Sequence, residues 1–155
     1  MRWYLLTGMT AFALVGAFVV APAFADDKKD EKIFDFPDLE AKEWKKLDSG
    51  MKVWDVKEGK GDAVQAKAKV KVNYTGWLTD GTKFDSSFDR KEPISFGLDG
   101  VIKGWTEGVP GMKPGGVRRL VIPAEMAYGA RARGKIPANS TLVFVIEYLG
   151  PGDDK

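Results

Sequence analysis

Between positions 67 and 74, polar and apolar residues alternate strictly: Lys67, Lys69, Lys71 and Asn73 against Ala68, Val70, Val72 and Tyr74. Successive side chains of a strand point to opposite faces, so this period of two predicts a strand with its lysines in water and Tyr74 aimed at the core. A second alternating run, Thr141 to Leu149, puts Leu142, Phe144, Ile146 and Tyr148 on one face. Shorter runs predict strands over Met51 to Val56, ended by Glu58-Gly59-Lys60-Gly61, and over Pro93 to Phe96. A further strand, Val117 to Ile122, follows Gly115-Gly116 and stops at Pro123. Asp80-Gly81 is a turn dipeptide with strand-like flanks and predicts an antiparallel hairpin. Asp85 to Lys91 reads as a polar loop, and Ala124 to Ala138 as a loop rich in glycine, alanine and basic residues.

One strong helix is expected. Asp99 is placed to cap its first turn, Val101, Ile102 and Trp105 fall on or near one face, and Gly108-Val109-Pro110-Gly111 ends it. Nearer the N-terminus, Ile33, Phe34, Phe36, Leu39, Trp44 and Leu47 stand apolar among charges, and Asp38 to Lys46, after Pro37, is long enough for two turns of helix. Such a tail is expected to fold back on its own sheet. The sum is a mainly antiparallel sheet with one short helix, an α+β fold.

Composition narrows the chemistry. A chain of 155 residues, 44% hydrophobic and 30% charged, has room for one globular domain with short extensions. A net charge of +2 without a basic stripe argues against nucleic acid as a partner. The absence of cysteine and histidine removes disulfides, thiol nucleophiles, the usual zinc sites and histidine-based triads. Asp85 to Asp89 has too few well-spaced oxygen ligands for a calcium loop.

Arg2 precedes an uncharged run from Trp3 to Ala25 that closes on Ala23-Phe24-Ala25 ahead of Asp26. This reads as a signal peptide, residues 1–25, cut after Ala25; the alternative is a membrane anchor over residues 3–25. The expected division continues with a charged linker and short extension over 26–48, a domain over 49–150 and a polar tail over 151–155. The expected location is an exported space, a periplasm in preference to a eukaryotic lumen.

Four separated motifs carry a resemblance: Tyr74-Thr75-Gly76-Trp77 running on to Phe84-Asp85 and Arg90, then Val101-Ile102-Lys103-Gly104-Trp105, then Ala127-Tyr128-Gly129, then Thr141-Leu142-Val143-Phe144. In this order and spacing, Ser49 to Gly150 resembles the FKBP-type peptidyl-prolyl cis-trans isomerase family. The resemblance implies an antiparallel twisted sheet wrapped around one short helix, with the ligand between them.

It also implies catalysis of X-Pro rotation during the folding of exported proteins, without cofactor, metal or covalent step. Trp105 would be the floor under the proline ring and Tyr74, Phe84 and Phe144 the walls. Asp85 would sit beside the twisting imide, fixed by Tyr74 and Arg90, and the Tyr128 hydroxyl would hold a substrate carbonyl. Val101, Ile102, Ile136 and Ile94 would complete the substrate-binding set, the Ile102 backbone bonding the peptide. Ile94 stands where the family very often has an aromatic wall residue, and Gly97 to Gly100 is one residue shorter than in well-known members. Implied partners are proline-containing unfolded or partly folded polypeptides and rapamycin-type macrolides, bound by a monomer. A non-catalytic peptide-binding or chaperone module using the same cleft is the alternative, and a small-molecule carrier a third reading. Arg131, Arg133 and Lys135 form a cationic loop expected near the mouth of the pocket.

Overall fold

The structure, a computed structural model, describes residues 32–153. The expected signal segment and most of the charged linker lie outside the described residues. Seven strands form one antiparallel sheet: β1 (Lys45–Lys46), β2 (Lys52–Lys57), β3 (Lys69–Leu78), β4 (Lys83–Ser86), β5 (Ile94–Gly97), β6 (Val117–Ile122) and β7 (Leu142–Pro151). Their order is β1-β2-β6-β7-β3-β4, and β5 pairs with the first half of β3 beside the β3–β4 hairpin. The long central pair β3–β7 opposes Tyr74 to Ile146 and Gly76 to Phe144.

The period of two in β3 is obeyed: Val70, Val72 and Tyr74 are buried, and Lys69 is exposed. Lys67 departs from it, because its φ of 63° puts it in a turn before the strand begins. The hairpin closes between Leu78 and Thr82, with Gly81 at φ 86°. The Thr82 N–H also donates to Asp80 Oδ1 at 2.8 Å, the local side-chain bond that makes aspartate a turn residue.

Two predicted elements take other forms. The segment expected as a polar loop is a helical turn, α1 (Ser87–Arg90), whose N-cap Ser86 accepts from the Asp89 N–H, and Lys91 ends it in the left-handed region at φ 55°. The principal helix, α2 (Lys103–Gly108), starts four residues after Asp99, so Asp99 does not cap it; Ile102 occupies the N-cap with no side-chain bond. Gly97 to Gly100 instead makes a turn, the Gly100 N–H donating to the Gly97 carbonyl at 3.1 Å.

The helix lies on the sheet through two glycines. A Cβ on Gly104 would collide with Ile122, and one on Gly108 would meet Leu120 at 2.7 Å and Met51 at 3.0 Å. Glycine here exchanges helix propensity for close approach, and that approach seats Trp105 against the sheet.

The N-terminal extension folds back on the sheet, with a 3-10 turn at Lys32–Phe34, but the helix expected over Asp38 to Lys46 is replaced by turns and β1. Asp38 to Trp44 is a series of turns in which Asp38 Oδ1 accepts from the Glu40 N–H and the Trp44 Nε1–H donates to the Asp38 carbonyl. These local bonds compete with helical ones in a segment too short to nucleate. Ile33, Phe34 and Leu39 pack on the outer face against Trp77, Val117, Val143 and Val145, all four of which are buried. Arg119 holds the extension: its Nη2 donates to the Lys32 and Ile33 carbonyls at 3.2 and 3.1 Å, while its guanidinium lies 4.6 Å above the Trp54 ring. Among the described residues, Arg119 Nε is the buried side-chain donor left without a partner.

Candidate active site

The inner face of the sheet and α2 enclose an open cavity of about 540 Å³. Trp105, 5% exposed, is its floor. Tyr74 and Phe144 meet the indole edge-on with ring centroids at 5.3 Å each, and Phe96 lies at 5.2 Å. Phe84 stands edge-on to Phe144 at 5.6 Å. Such offsets suit the aromatic quadrupole and fix each ring by its neighbours.

These walls depend on Gly76, where β3 faces the Phe84 and Phe144 rings. An added Cβ would lie 2.5 Å from Phe84 Cζ and 2.8 Å from Phe144 Cε1, so any larger residue would drive the rings into the cleft.

At the edge of the cavity, Tyr74 OH donates to Asp85 Oδ2 and Arg90 Nη1 donates to Asp85 Oδ1. Arg90 Nη2 also donates to the Tyr74 hydroxyl oxygen at 3.1 Å, closing a three-membered ring of polar contacts. Arg90 reaches this position because α1 is bolted to β3. Ser87 Oγ accepts from the Tyr74 N–H at 2.9 Å, and Ser86 Oγ lies 3.0 Å from Thr75 Oγ1. Burial works against the charge on Asp85, but the Tyr74 and Arg90 hydrogen bonds and the Arg90 charge outweigh it and hold the carboxyl below its ordinary value. Burial first, and then the bond to Asp85, push the Tyr74 hydroxyl above its ordinary value, so it stays a donor.

The consequence for pH is one-sided. Because the Asp85 value is depressed in the folded protein, its ion pair contributes fully above the ordinary value of 3.8 and is lost only as pH falls through the lower folded value. The chain contains no histidine. Turnover is therefore expected to stay flat from about pH 5 to 8 and to fall only in stronger acid; a fall centred near neutrality would contradict this assignment.

The structure brings Tyr74, Phe84, Asp85, Val101, Ile102, Trp105, Tyr128 and Phe144 to the cavity. The Ile102 N–H has no acceptor among the described residues and is free to bond a ligand. Three residues of the expected set lie elsewhere. Arg90 lines an adjoining recess and reaches the cavity through Asp85. Ile94 is 37% exposed and outside the cavity wall. Ile136 is buried in the main core cluster and does not line the cavity.

Phe96 is the wall residue that sequence reasoning missed. It shares a face of β5 with Ile94, the two facing Val70 and Val72 of β3, so alternation alone allowed either to serve; only the position of Trp105 selects Phe96. Lys103 and Arg133 also line the cavity. No group of acidic residues among those described converges as a metal site.

An aromatic box against a short helix, with one oriented carboxylate at its edge, is shaped to take a compact apolar ring. The chain belongs to the FKBP-type peptidyl-prolyl cis-trans isomerase family, whose model matches residues 60–149. It is 57% identical over 99 residues to an FK506-binding protein of Neisseria meningitidis serogroup A, a match covering 61% of this chain and 90% of that one. It is 55% identical over 94 residues to the FKBP-type peptidyl-prolyl cis-trans isomerase FkpA of Escherichia coli, covering 61% of this chain and 35% of FkpA. The crystal structure of Escherichia coli FkpA superposes with a TM-score of 0.68 at 49% identity, over 74% of this chain and 55% of that one. AtFKBP13 superposes at 0.66 and 38% identity, over 71% of this chain and 99% of that one. The protein is thus a peptidyl-prolyl cis-trans isomerase acting on proline-containing polypeptides, built on the α+β fold that the motifs implied.

Proposed function

We propose that the aromatic cavity is the isomerase site, with Trp105 beneath the prolyl ring, Tyr74, Phe84, Phe96 and Phe144 around it, and the Ile102 N–H and Tyr128 hydroxyl bonding the peptide. The observation that carries this reading is the box of rings within 5.2–5.3 Å of Trp105, with the paired Asp85 at its edge. The barrier to X-Pro rotation, about 18–20 kcal/mol, is the amide resonance lost on twisting. The twisted imide has less charge separation between nitrogen and oxygen, so an apolar site favours it over the planar ground state. The Asp85 carboxylate then faces a carbonyl carbon whose partial positive charge grows as the nitrogen stops donating. A barrier lowered by about 5–8 kcal/mol corresponds to roughly 10⁴- to 10⁶-fold acceleration.

The protein would work on exported chains, after removal of residues 1–25, with 49–150 as the catalytic domain, 26–48 as linker and extension, and 151–155 as tail. The small-x-small ending at Ala23-Phe24-Ala25 supports export, and a periplasm is the compartment we assign. A monomer is favoured because Ile33, Phe34 and Leu39 are engaged in covering their own sheet. The same cleft would take FK506- and rapamycin-type macrolides. Cis-to-trans exchange of an X-Phe-Pro peptide, followed with and without rapamycin, tests this: catalysis that the macrolide blocks is expected, and catalysis indifferent to saturating macrolide would place the site elsewhere.

A further inference from the structure

The aromatic cavity does not end at Phe84 and Asp85. A second recess of about 200 Å³ shares these two residues and is lined further by Lys83, Asp89, Arg90 and Lys135. Together the two hollows present five cations, Lys83, Arg90, Lys103, Arg133 and Lys135, and two carboxylates. Both carboxylates are already used, Asp85 by Arg90 and Asp89 by Lys83 at 2.6 Å. Lys103, Arg133 and Lys135 have no acidic partner among the described residues.

Two of these cations, Arg133 and Lys135, stand on a loop whose backbone is fixed. Arg133 and Ile136 exchange backbone hydrogen bonds at 2.8 and 2.9 Å, and the Ile136 side chain is sunk in the core beside Lys135. The Arg133 guanidinium lies 5.2 Å above the Tyr128 ring. Both side chains are exposed, but the loop keeps their backbone at the margin of a cavity whose floor is apolar, so their charge acts on whatever occupies it. The chain as a whole carries only +2, so the imbalance belongs to the cleft.

We propose that the cleft selects prolyl peptides whose X-Pro pair is flanked by acidic side chains, with Arg133 and Lys135 as the residues that read them. The inference rests on the assignment of the aromatic cavity to the prolyl ring. An extended peptide advances about 3.3 Å per residue, so side chains flanking the proline are carried out of the ring box towards the residues that line its margin and the adjoining recess.

Three peptides in which Phe-Pro is flanked on both sides by glutamate, glutamine or lysine would be compared by NMR exchange with the full chain. At about 20 mM salt the glutamate peptide is expected to exceed the lysine peptide in kcat/KM by about five-fold or more, with glutamine between, and the ratio should collapse towards one at about 0.5 M NaCl. Lys135→Glu should lower the ratio, and Lys60→Glu, the same change of net charge in the turn beside Pro114, should leave it unchanged. A ratio near one in the wild type, a ratio that survives high salt, or equal effects of the two variants would overturn the proposal. Turnover of the glutamine peptide reports the isomerase site itself. If it persists while the ratio is lost, only the charge reading fails; if no peptide is turned over, both readings fail.

Discussion

Asp85→Val is expected to lower kcat/KM for an X-Phe-Pro peptide by roughly 10- to 100-fold, the equivalent of one charge-assisted interaction worth about 1.5–3 kcal/mol. The side chain has two acceptors, one taken by Tyr74 and one by Arg90, and valine supplies neither. Stability should change little. The Asp85 and Arg90 side chains are 39% and 47% exposed, and ion pairs this open to water contribute only about 0–1 kcal/mol. The Tyr74 hydroxyl would keep its contact with Arg90 and gain water from the open cleft. Asp85→Asn separates the two parts of the effect: it keeps an acceptor for Tyr74 and removes the charge, so its rate should lie between wild type and Asp85→Val. Wild-type turnover in Asp85→Val, or a loss that tracks unfolding in urea, would show that the carboxylate takes no part in the rotation.

Trp105→Ala should do the opposite, damaging fold and function together. Trp105 is almost fully buried, it belongs to the main core cluster, and three rings lean on it. Removing a core tryptophan typically costs about 3–5 kcal/mol, a large share of the roughly 5–15 kcal/mol available to a domain. Urea unfolding should report a loss of this size with little change in slope, since the surface exposed on unfolding is similar. Trp105→Phe, which keeps an aromatic floor, should recover much of the stability and part of the turnover. If Trp105→Ala were folded and active, the indole would be neither floor nor keystone.

The two variants differ because Asp85 is open to water and Trp105 is buried, and the two residues were also legible in different ways. Asp85 belongs to a motif whose members lie close in sequence: Tyr74, Asp85 and Arg90 are joined by one hairpin and one helical turn, so local order brings them together. Trp105 taken alone was an ordinary core aromatic. Its role as floor rests on Gly104 and Gly108, which let α2 settle onto Ile122 and Leu120, a meeting that no local pattern encodes. The loop reading of Asp85 to Lys91 failed because four residues, three of them polar, make too short a window for helical periodicity, while the Ser86 cap that forms the turn is a single hydroxyl.

The outer face of the sheet makes the same point. Alternation correctly placed Leu142, Phe144, Ile146 and Tyr148 inside, but it was silent on Val143 and Val145, which are equally buried on the other side. What covers them is Ile33, Phe34 and Leu39, about a hundred residues earlier in the chain.

By itself, then, the sequence determined six of the seven strands, the turn at Asp80-Gly81, the family and most of the aromatic set, because periodicity, turn chemistry and motif spacing are all written within a few residues; β1 lies in a segment expected as helix. Tertiary structure alone decided that Phe96 and not Ile94 closes the cavity, that Ile136 is buried in the core, which outer-face residues the extension covers, and that the Arg133 guanidinium lies over the Tyr128 ring. Each of those outcomes depends on the distance between elements packed from remote parts of the chain, and a side chain's exposure is settled by what arrives on top of it.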